Sequence, residues 1–216
     1  MVADQERHVE SKMARDRSPI VKMSRIEGYA LHPKAHKALV KRPGTPGQTS
    51  GRFRAKPSQY SLQLREKQKV RRLYGLLERQ FRRLMEEASK TSGQSGQVLL
   101  RFLEQRADNV VYRSGFAVSR RASRQLVTHG HFELNGKRVD IPSIRLKEGD
   151  MLTLRDKSKK SEYFLKIDDV SPHPSDIPSW IKVDRKKFVI TVIGVPSREE
   201  AEPDINEQLI VEYYSR

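Results

Sequence analysis

From residue 60 to residue 89, apolar side chains return every three or four positions: Val70, Leu73, Tyr74, Leu77, Phe81, Leu84, Met85 and Ala88. At about 100° per residue these fall on one arc of an α-helix. Lys67, Arg71, Arg72, Arg79, Arg82 and Arg83 fall on the opposite side. The pattern predicts one helix over 60–89, with a packing face and a cationic face. A second helix is expected over 97–113, with Gly115 placed for a left-handed cap, and a third over 119–129, stopped by Gly130. Ser119 is the natural N-cap of the third, because its hydroxyl can accept from an otherwise orphaned backbone N–H.

Beyond Gly130 the period changes from helical to alternating. Phe132 and Leu134 precede Asn135-Gly136, and Val139 and Ile141 follow it. Asn-Gly tolerates positive φ at both central positions, so a tight hairpin is expected there. A further turn at 147–150 leads into a strand at 151–154, and later strands are expected at 163–167, 180–183 and 188–192. Residues 196–208 read as acidic and irregular, and 209–214 as a short apolar tail docked on the body.

Before the long helix the pattern fails. Pro19, Pro33, Pro43, Pro46 and Pro57 interrupt residues 14–57, which are expected to be an irregular basic arm. Ser92-Gly93-Gln94-Ser95-Gly96 reads as a flexible joint. The expected fold class is α+β: a helical N-terminal domain carrying the basic arm, then a module of two helices on a small β-sheet. The expected divisions are a mobile extension at 1–12, the arm and helices at 13–96, the module at 97–160, and at 161–216 strands, acidic segment and tail packing back on the N-terminal domain.

Charge changes the reading from fold to partner. The 216 residues hold 43 Lys and Arg against 27 Asp and Glu, a formal net charge of +16. Residues 1–97 alone carry 22 basic and 9 acidic side chains, whereas 155–216 carry 11 and 12. A one-sided surplus of this size points to a polyanion. A membrane is not expected as the partner, because no apolar run approaches the roughly 20 residues a spanning helix needs. The first residues hold Asp4, Glu6 and Glu10 with no apolar stretch, unlike a secretory or transit leader, and Met13 is a plausible second start.

The chain has no cysteine. Disulfides, thiolate metal sites and thiol catalysis are excluded. His129 and His131 lack further ligands for a metal, and Pro33 stands between His32 and His36, so no metal or other cofactor is expected. Residues 44–51 lack the Gly-Lys-Ser/Thr ending of a phosphate-binding loop, and no G-x-S-x-G elbow is present. Neither catalysis nor a small-molecule substrate is expected.

Four stretches then carry a family resemblance: 63–71 (QLREKQKVR), 108–113 (DNVVYR), 122–131 (ASRQLVTHGH) and 204–212 (DINEQLIVE). In this order, and with a match spanning nearly everything from Met13 onward, the sequence resembles the bacterial-type family of small ribosomal subunit protein four. The resemblance implies an RNA-binding module of that family's type near 97–154. It implies direct binding of small-subunit ribosomal RNA at a helix junction of the five-prime domain, and nucleation of assembly of the subunit body. It also implies contact with ribosomal protein five and other small-subunit proteins, influence on translational accuracy, and a position beside the path by which messenger RNA enters. The expected location is a bacterial-type ribosome in the cytoplasm rather than an organelle.

Three features depart from the family pattern. Val21 and Ser24 stand where many relatives begin a set of zinc-binding cysteines. Residues 46–51 lengthen a usual Pro-Gly-Gln-His-Gly loop and lack its His. Ala107 replaces a usual Leu.

A-form RNA hides its base edges in a deep groove, so recognition is expected to run through phosphates, 2′-hydroxyls and junction shape. Arginine suits phosphate because its planar fork binds two oxygens. Arg113, Arg120, Arg121 and Arg124 are expected phosphate contacts, with His129, His131, Asn135 and Lys137 as an adjoining polar edge. Arg52, Arg54, Arg71, Arg72, Arg82 and Arg83 are added from the first half. Arg106 and Asp108 are read as an internal ion pair. Asp204, Asn206, Glu207 and Leu209 are expected at a protein interface. The rivals are a stand-alone RNA-binding stress or ribosome-rescue factor using the same module, a pseudouridine synthase, for which the residues after 154 are too few, and non-specific DNA or membrane binding through charge alone, which predicts steep salt dependence with no preference among nucleic acids.

Overall fold

The computed structural model describes residues 16, 18–47, 56–172 and 176–215. The expected extension at 1–12, Arg52 and Arg54, and most of the 46–51 loop lie outside them.

Eleven α-helices and five strands are formed among the described residues. In chain order the first helices are α1 (Ile20–Glu27), a 3-10 turn (Pro33–Ala35), α2 (His36–Lys41), α3 (Gln59–Leu73), α4 (Glu78–Lys90) and α5 (Ser95–Glu104). The arm expected to be irregular therefore holds two short helices before residue 42. Ser24 lies inside α1, where its hydroxyl donates to the carbonyl of Ile20 at 2.8 Å and accepts from the Leu31 N–H at 3.3 Å. That buried serine fastens the loop after α1.

The helix expected over 60–89 is two helices. Gly75 takes φ +65°, a conformation costly for any residue with a Cβ, and the chain turns there. Tyr74, Leu76 and Phe81 all become buried around that turn. The helix expected over 97–113 is also broken, after Glu104. Ala107 N–H donates to the Ile144 carbonyl at 2.8 Å and Leu146 N–H to the Gln105 carbonyl at 2.9 Å. These cross-chain bonds replace the helical ladder at the break.

The second half runs α6 (Ala107–Arg113), α7 (Arg120–Thr128), β1 (Phe132–Leu134), β2 (Lys137–Val139), β3 (Met151–Leu154), α8 (Asp156–Lys159), α9 (Glu162–Leu165), α10 (Ile167–Val170), β4 (Ile181–Asp184), β5 (Val189–Val192) and α11 (Glu207–Tyr214). The Ser119 hydroxyl accepts from the Ala122 N–H as expected. Asn135 and Gly136 have φ +49° and +79°, which closes the β1–β2 hairpin. The sheet is antiparallel throughout, in the order β2-β1-β3-β5-β4. The strand expected at 163–167 is instead helical: Phe164 is drawn into an aromatic cluster with Tyr163, Phe132 and Phe188, at ring separations of 5.1–6.4 Å. The apolar tail forms the helix α11.

Two apolar cores result. One gathers α3, α4 and α5 with Ile205 and Ile210; the other fills the space between α6, α7 and the inner sheet face. Two expected divisions are corrected by this. Helix α5, read as the start of the module, packs in the N-terminal core through Val98, Leu99, Leu100 and Leu103. The strands β4 and β5, expected to pack on the N-terminal domain, extend the module's sheet; of residues 161–216, the segment around Ile205 and α11 is what joins the N-terminal core.

Lys67, assigned by spacing to the cationic face, is interior. Its ammonium meets Glu78 at 2.6 Å and lies over the Tyr213 ring at 4.5 Å, so α11 covers it. Helix α11 also presses on the start of α5. A Cβ at Gly96 would lie 2.7 Å from Cγ of Glu207. Gly96→Ala is therefore expected to destabilise the fold by about 1–2 kcal/mol, overpacking outweighing the gain in helix propensity. A urea denaturation midpoint at or above that of the unaltered protein would show that α11 is not held against α5 in this way.

Candidate nucleic-acid interface

The expected phosphate contacts divide sharply once their surroundings are seen. Arg113 and Arg120 are partly buried, with 19% and 12% of their side chains exposed. Glu104, only 1% exposed, accepts from Arg113 Nε at 3.1 Å and Nη2 at 2.9 Å, from Tyr74 Oη at 2.5 Å and from Asn109 Nδ2 at 2.7 Å. Arg120 donates to Asn109 Oδ1 at 2.9 Å and to Glu202 Oε1 at 2.7 Å. Its guanidinium lies 4.8 Å from the Tyr74 ring centre and 4.6 Å from that of Tyr112. Tyr29 Oη donates to the other oxygen of Glu202 at 3.0 Å. These residues come from the loop after α1, the end of α3, α5, α6, α7 and the segment before α11. Together they form one polar network joining the two cores. Both arginines, expected as phosphate contacts, are members of this network.

Arg71 and Arg72 are also engaged internally. Arg71 donates to Gln68 at 2.9 Å and to the Leu76 carbonyl at 3.1 Å, which stiffens the turn at Gly75, and Arg72 pairs with Glu27 of α1. Asn135 is a turn residue whose side chain bridges to Asp150 Oδ1 and the Met151 N–H, each at 2.9 Å. Arg106 and Asp108 form the expected ion pair, two-pronged at 3.0 and 2.8 Å and buried.

What stays on the surface is a narrower set. Arg82 is 70% exposed and, among the described residues, pairs only with Glu86, one turn on. Arg83 is exposed, and so is Arg79, which the expected site residues omitted although its spacing from Arg83 marks the same face. Neither of these two has an acidic partner among the described residues. They line a groove of about 590 Å³ between α4 and the 143–145 loop, together with Arg145. Arg145 is fixed by Glu87 at 2.6 Å and by the Phe102 ring at 4.4 Å.

On the module, Arg121 is exposed and donates to the Ser18 carbonyl at 3.1 Å, while Arg124 is half-buried and reaches the Gly75 carbonyl at 3.2 Å. His129 and Lys137 are exposed, and His131 is half-buried against the Ser158 hydroxyl at 2.9 Å. Among the described residues no three His, Cys, Asp or Glu side chains are grouped to hold a metal ion, and no helix is long and apolar enough to cross a membrane.

The residues expected at a protein interface lie together at the start of α11. Asp204 is exposed, and its carbonyl accepts from Lys69 at 2.7 Å. The Asn206 side chain caps α11 and its N–H donates to Glu66 at 2.8 Å. Glu207 pairs with Arg198 at 3.0 Å, and Leu209 is half-buried.

The ionisable groups set the response to acid. Burial raises the Glu202 carboxyl, but Arg120 and Arg113 beside it outweigh that, and the net direction is down from its usual 4.5. For Glu78 and Glu207 burial is likewise outweighed, by Lys67 and Arg198 respectively. Glu27 runs the other way, raised by burial. His131 is held below its usual 6.5 by burial, with His129 and Arg155 adding to the effect. A depressed carboxylate gives stability that is complete above its unfolded pKa and is lost as pH falls through the folded one; a depressed imidazole likewise loses stability as pH falls below 6.5. The melting temperature is expected to decline first below about pH 6.5 and more steeply below about pH 4.5. Glu202→Gln should flatten the second step. A melting temperature that rises on acidification would contradict these directions.

Comparison with known proteins follows the same two-part architecture. Residues 15–104 match the family model described as ribosomal protein S4/S9 N-terminal domain, and residues 105–152 match the S4 domain. The boundary falls at the break between α5 and α6. The chain is 50% identical over 205 residues to small ribosomal subunit protein uS4 of Chlorobium phaeobacteroides, across 94% of this chain and all of the relative. It is 45% identical over 210 residues to uS4A of Symbiobacterium thermophilum and 48% identical over 216 residues to uS4 of Herpetosiphon aurantiacus, with the same coverage.

Proposed function

This chain belongs to the small ribosomal subunit protein uS4 family, and we propose that it binds small-subunit ribosomal RNA directly, at a helix junction of the five-prime domain. In the family it is a structural, non-enzymatic constituent of the small ribosomal subunit. Binding of naked RNA would let it nucleate assembly of the subunit body. The segment at 204–209 would then meet ribosomal protein five, at the side where messenger RNA enters, and influence decoding accuracy. The matched relatives come from bacteria, which favours a bacterial ribosome over an organellar one.

The observation that carries this reading is the set of basic side chains on α4 and the module, of which Arg79 and Arg83 are exposed with no acidic partner among the described residues. Arg79, Arg82 and Arg83 stand on one helix face, beside Arg145, and Arg121 and Lys137 stand on the module. The protein spends several arginines on holding two cores together and still presents a cationic surface. Counterion release from phosphates rewards that arrangement.

The full chain, with no other protein present, is expected to protect one junction of a five-prime-domain transcript from hydroxyl radicals. Protection that appears only after other small-subunit proteins are added would rule out a primary binder.

A further inference from the structure

A cleft of about 370 Å³ opens between α1, the end of α3 and α7. Its floor includes the apolar side chains of Ile20, Leu31 and Leu73, each no more than 8% exposed, beside Arg72, Tyr74 and Arg120. Its rim is polar and cationic, with Arg121, Arg124 and Gln125. A site for backbone phosphates alone has no use for an apolar floor, because an anion loses hydration there and gains nothing in return. A duplex cannot enter a cleft this small. An unstacked base can, and single-stranded elements are where RNA-binding proteins read bases. The volume lies within the range of about 300–1,000 Å³ in which small organic ligands are held.

The polar groups of the rim are already set. Arg121 is anchored by the Ser18 carbonyl, and Arg124 by the Gly75 carbonyl and by Asp108 at 3.7 Å. At the mouth, His32 Nδ1 accepts from the Lys34 N–H at 3.1 Å, which leaves the ring proton on Nε2 as a donor. Burial first, then Lys34 and Arg121, hold this imidazole below its usual 6.5. Asp16 also lines the cleft, with one oxygen bound to Ser18, and can accept from an exocyclic amino group. The Gln125 amide is exposed and offers both a donor and an acceptor.

We propose that this cleft receives one unpaired nucleotide of the bound RNA, its base on Ile20, Leu31 and Leu73 and its phosphate on Arg121 and Arg124. The inference rests on the RNA-binding reading above and adds base readout at one position to recognition of shape elsewhere.

The test uses the full chain and two probes, the four nucleoside 5′-monophosphates and inorganic phosphate, followed by NMR. At least one nucleotide is expected to bind ten-fold or more tightly than phosphate, with shifts at Leu31, Leu73 and Thr128. Thr128→Trp fills the cleft and removes no charge. It is expected to abolish nucleotide binding and to weaken binding of the five-prime-domain RNA at least ten-fold with an unchanged salt slope. Gln125→Ala, at an exposed helix position that leaves folding intact, is expected to change the ranking of the four nucleotides and to weaken the same RNA.

Phosphate binding as tightly as every nucleotide would overturn the proposal. So would nucleotide binding by the unaltered protein together with undiminished RNA affinity in Gln125→Ala, whether or not Thr128→Trp folds. Failure of the unaltered protein to prefer its ribosomal RNA over unrelated RNA would instead remove the RNA-binding reading on which the proposal rests.

Discussion

Replacing Glu104 by Ala is expected to destabilise the protein by about 3–5 kcal/mol, the range seen when one partner of a buried charged cluster is removed. The carboxylate is nearly inaccessible and serves three donors at once, Arg113, Tyr74 and Asn109. Without it the Arg113 charge stays buried, with Glu202 at 3.5 Å as its nearest remaining carboxylate. The buried Tyr74 hydroxyl loses its acceptor, and the Asn109 amide keeps only the Glu104 backbone carbonyl at 3.1 Å. The damage also reaches Arg120, because Asn109 is one of its two hydrogen-bond partners. Urea denaturation measures this directly. A loss below about 1 kcal/mol would mean that water reaches the network and that it does not join the two cores as described.

Replacing Arg79, Arg82 and Arg83 together by Ala is the change expected to matter most for RNA. All three are exposed on α4, and the weak Arg82–Glu86 pair is the one ion pair at stake among the described residues. Folding stability should shift by no more than about 0.5 kcal/mol. Affinity for ribosomal RNA should fall about a hundred-fold, since a hydrogen bond to a charged group contributes roughly 1.5–3 kcal/mol, less in solvent. The slope of log affinity against log salt should flatten by about 2. Unchanged affinity and slope would move the RNA to another face of the molecule.

Local signals were legible in the sequence wherever one or two residues decide the backbone. Asn135-Gly136 closes its hairpin, Ser119 caps its helix, and Arg106 finds Asp108 two residues away. The amphipathic arc of 60–89 located the packing face correctly but concealed the turn at Gly75, because Leu76 and Leu77 kept the apolar pattern running through it. The strand at 163–167 failed for a different reason. An apolar run states that it will be buried, but not against what, and the rings of Phe132 and Phe188 are distant in sequence.

The candidate site was legible as a charge surplus and much less so residue by residue. An arginine at a helix start looks the same whether it faces solvent or a carboxylate. Glu202, which engages Arg120, lies 82 residues further along the chain. Tyr213 and Tyr214, which cover Lys67, are similarly remote. Phe188 at φ +56° has no sequence signal either; an aromatic residue adopts that conformation where its ring packing against Phe116 and Phe164 compensates for the strain. Arg79 was recoverable, since it lies four residues before Arg83 on the same helical face.

The central claim, that this surface recognises small-subunit ribosomal RNA rather than any polyanion, is tested most directly by a salt titration. Affinity for the five-prime-domain transcript is measured against that for an equal mass of unrelated structured RNA, from low to physiological salt. Tight binding to the five-prime domain, with a preference that persists at about 0.15 M salt, is the predicted result. Two affinities that are equal and collapse together as salt rises would contradict it, and would leave a protein that binds RNA through charge alone.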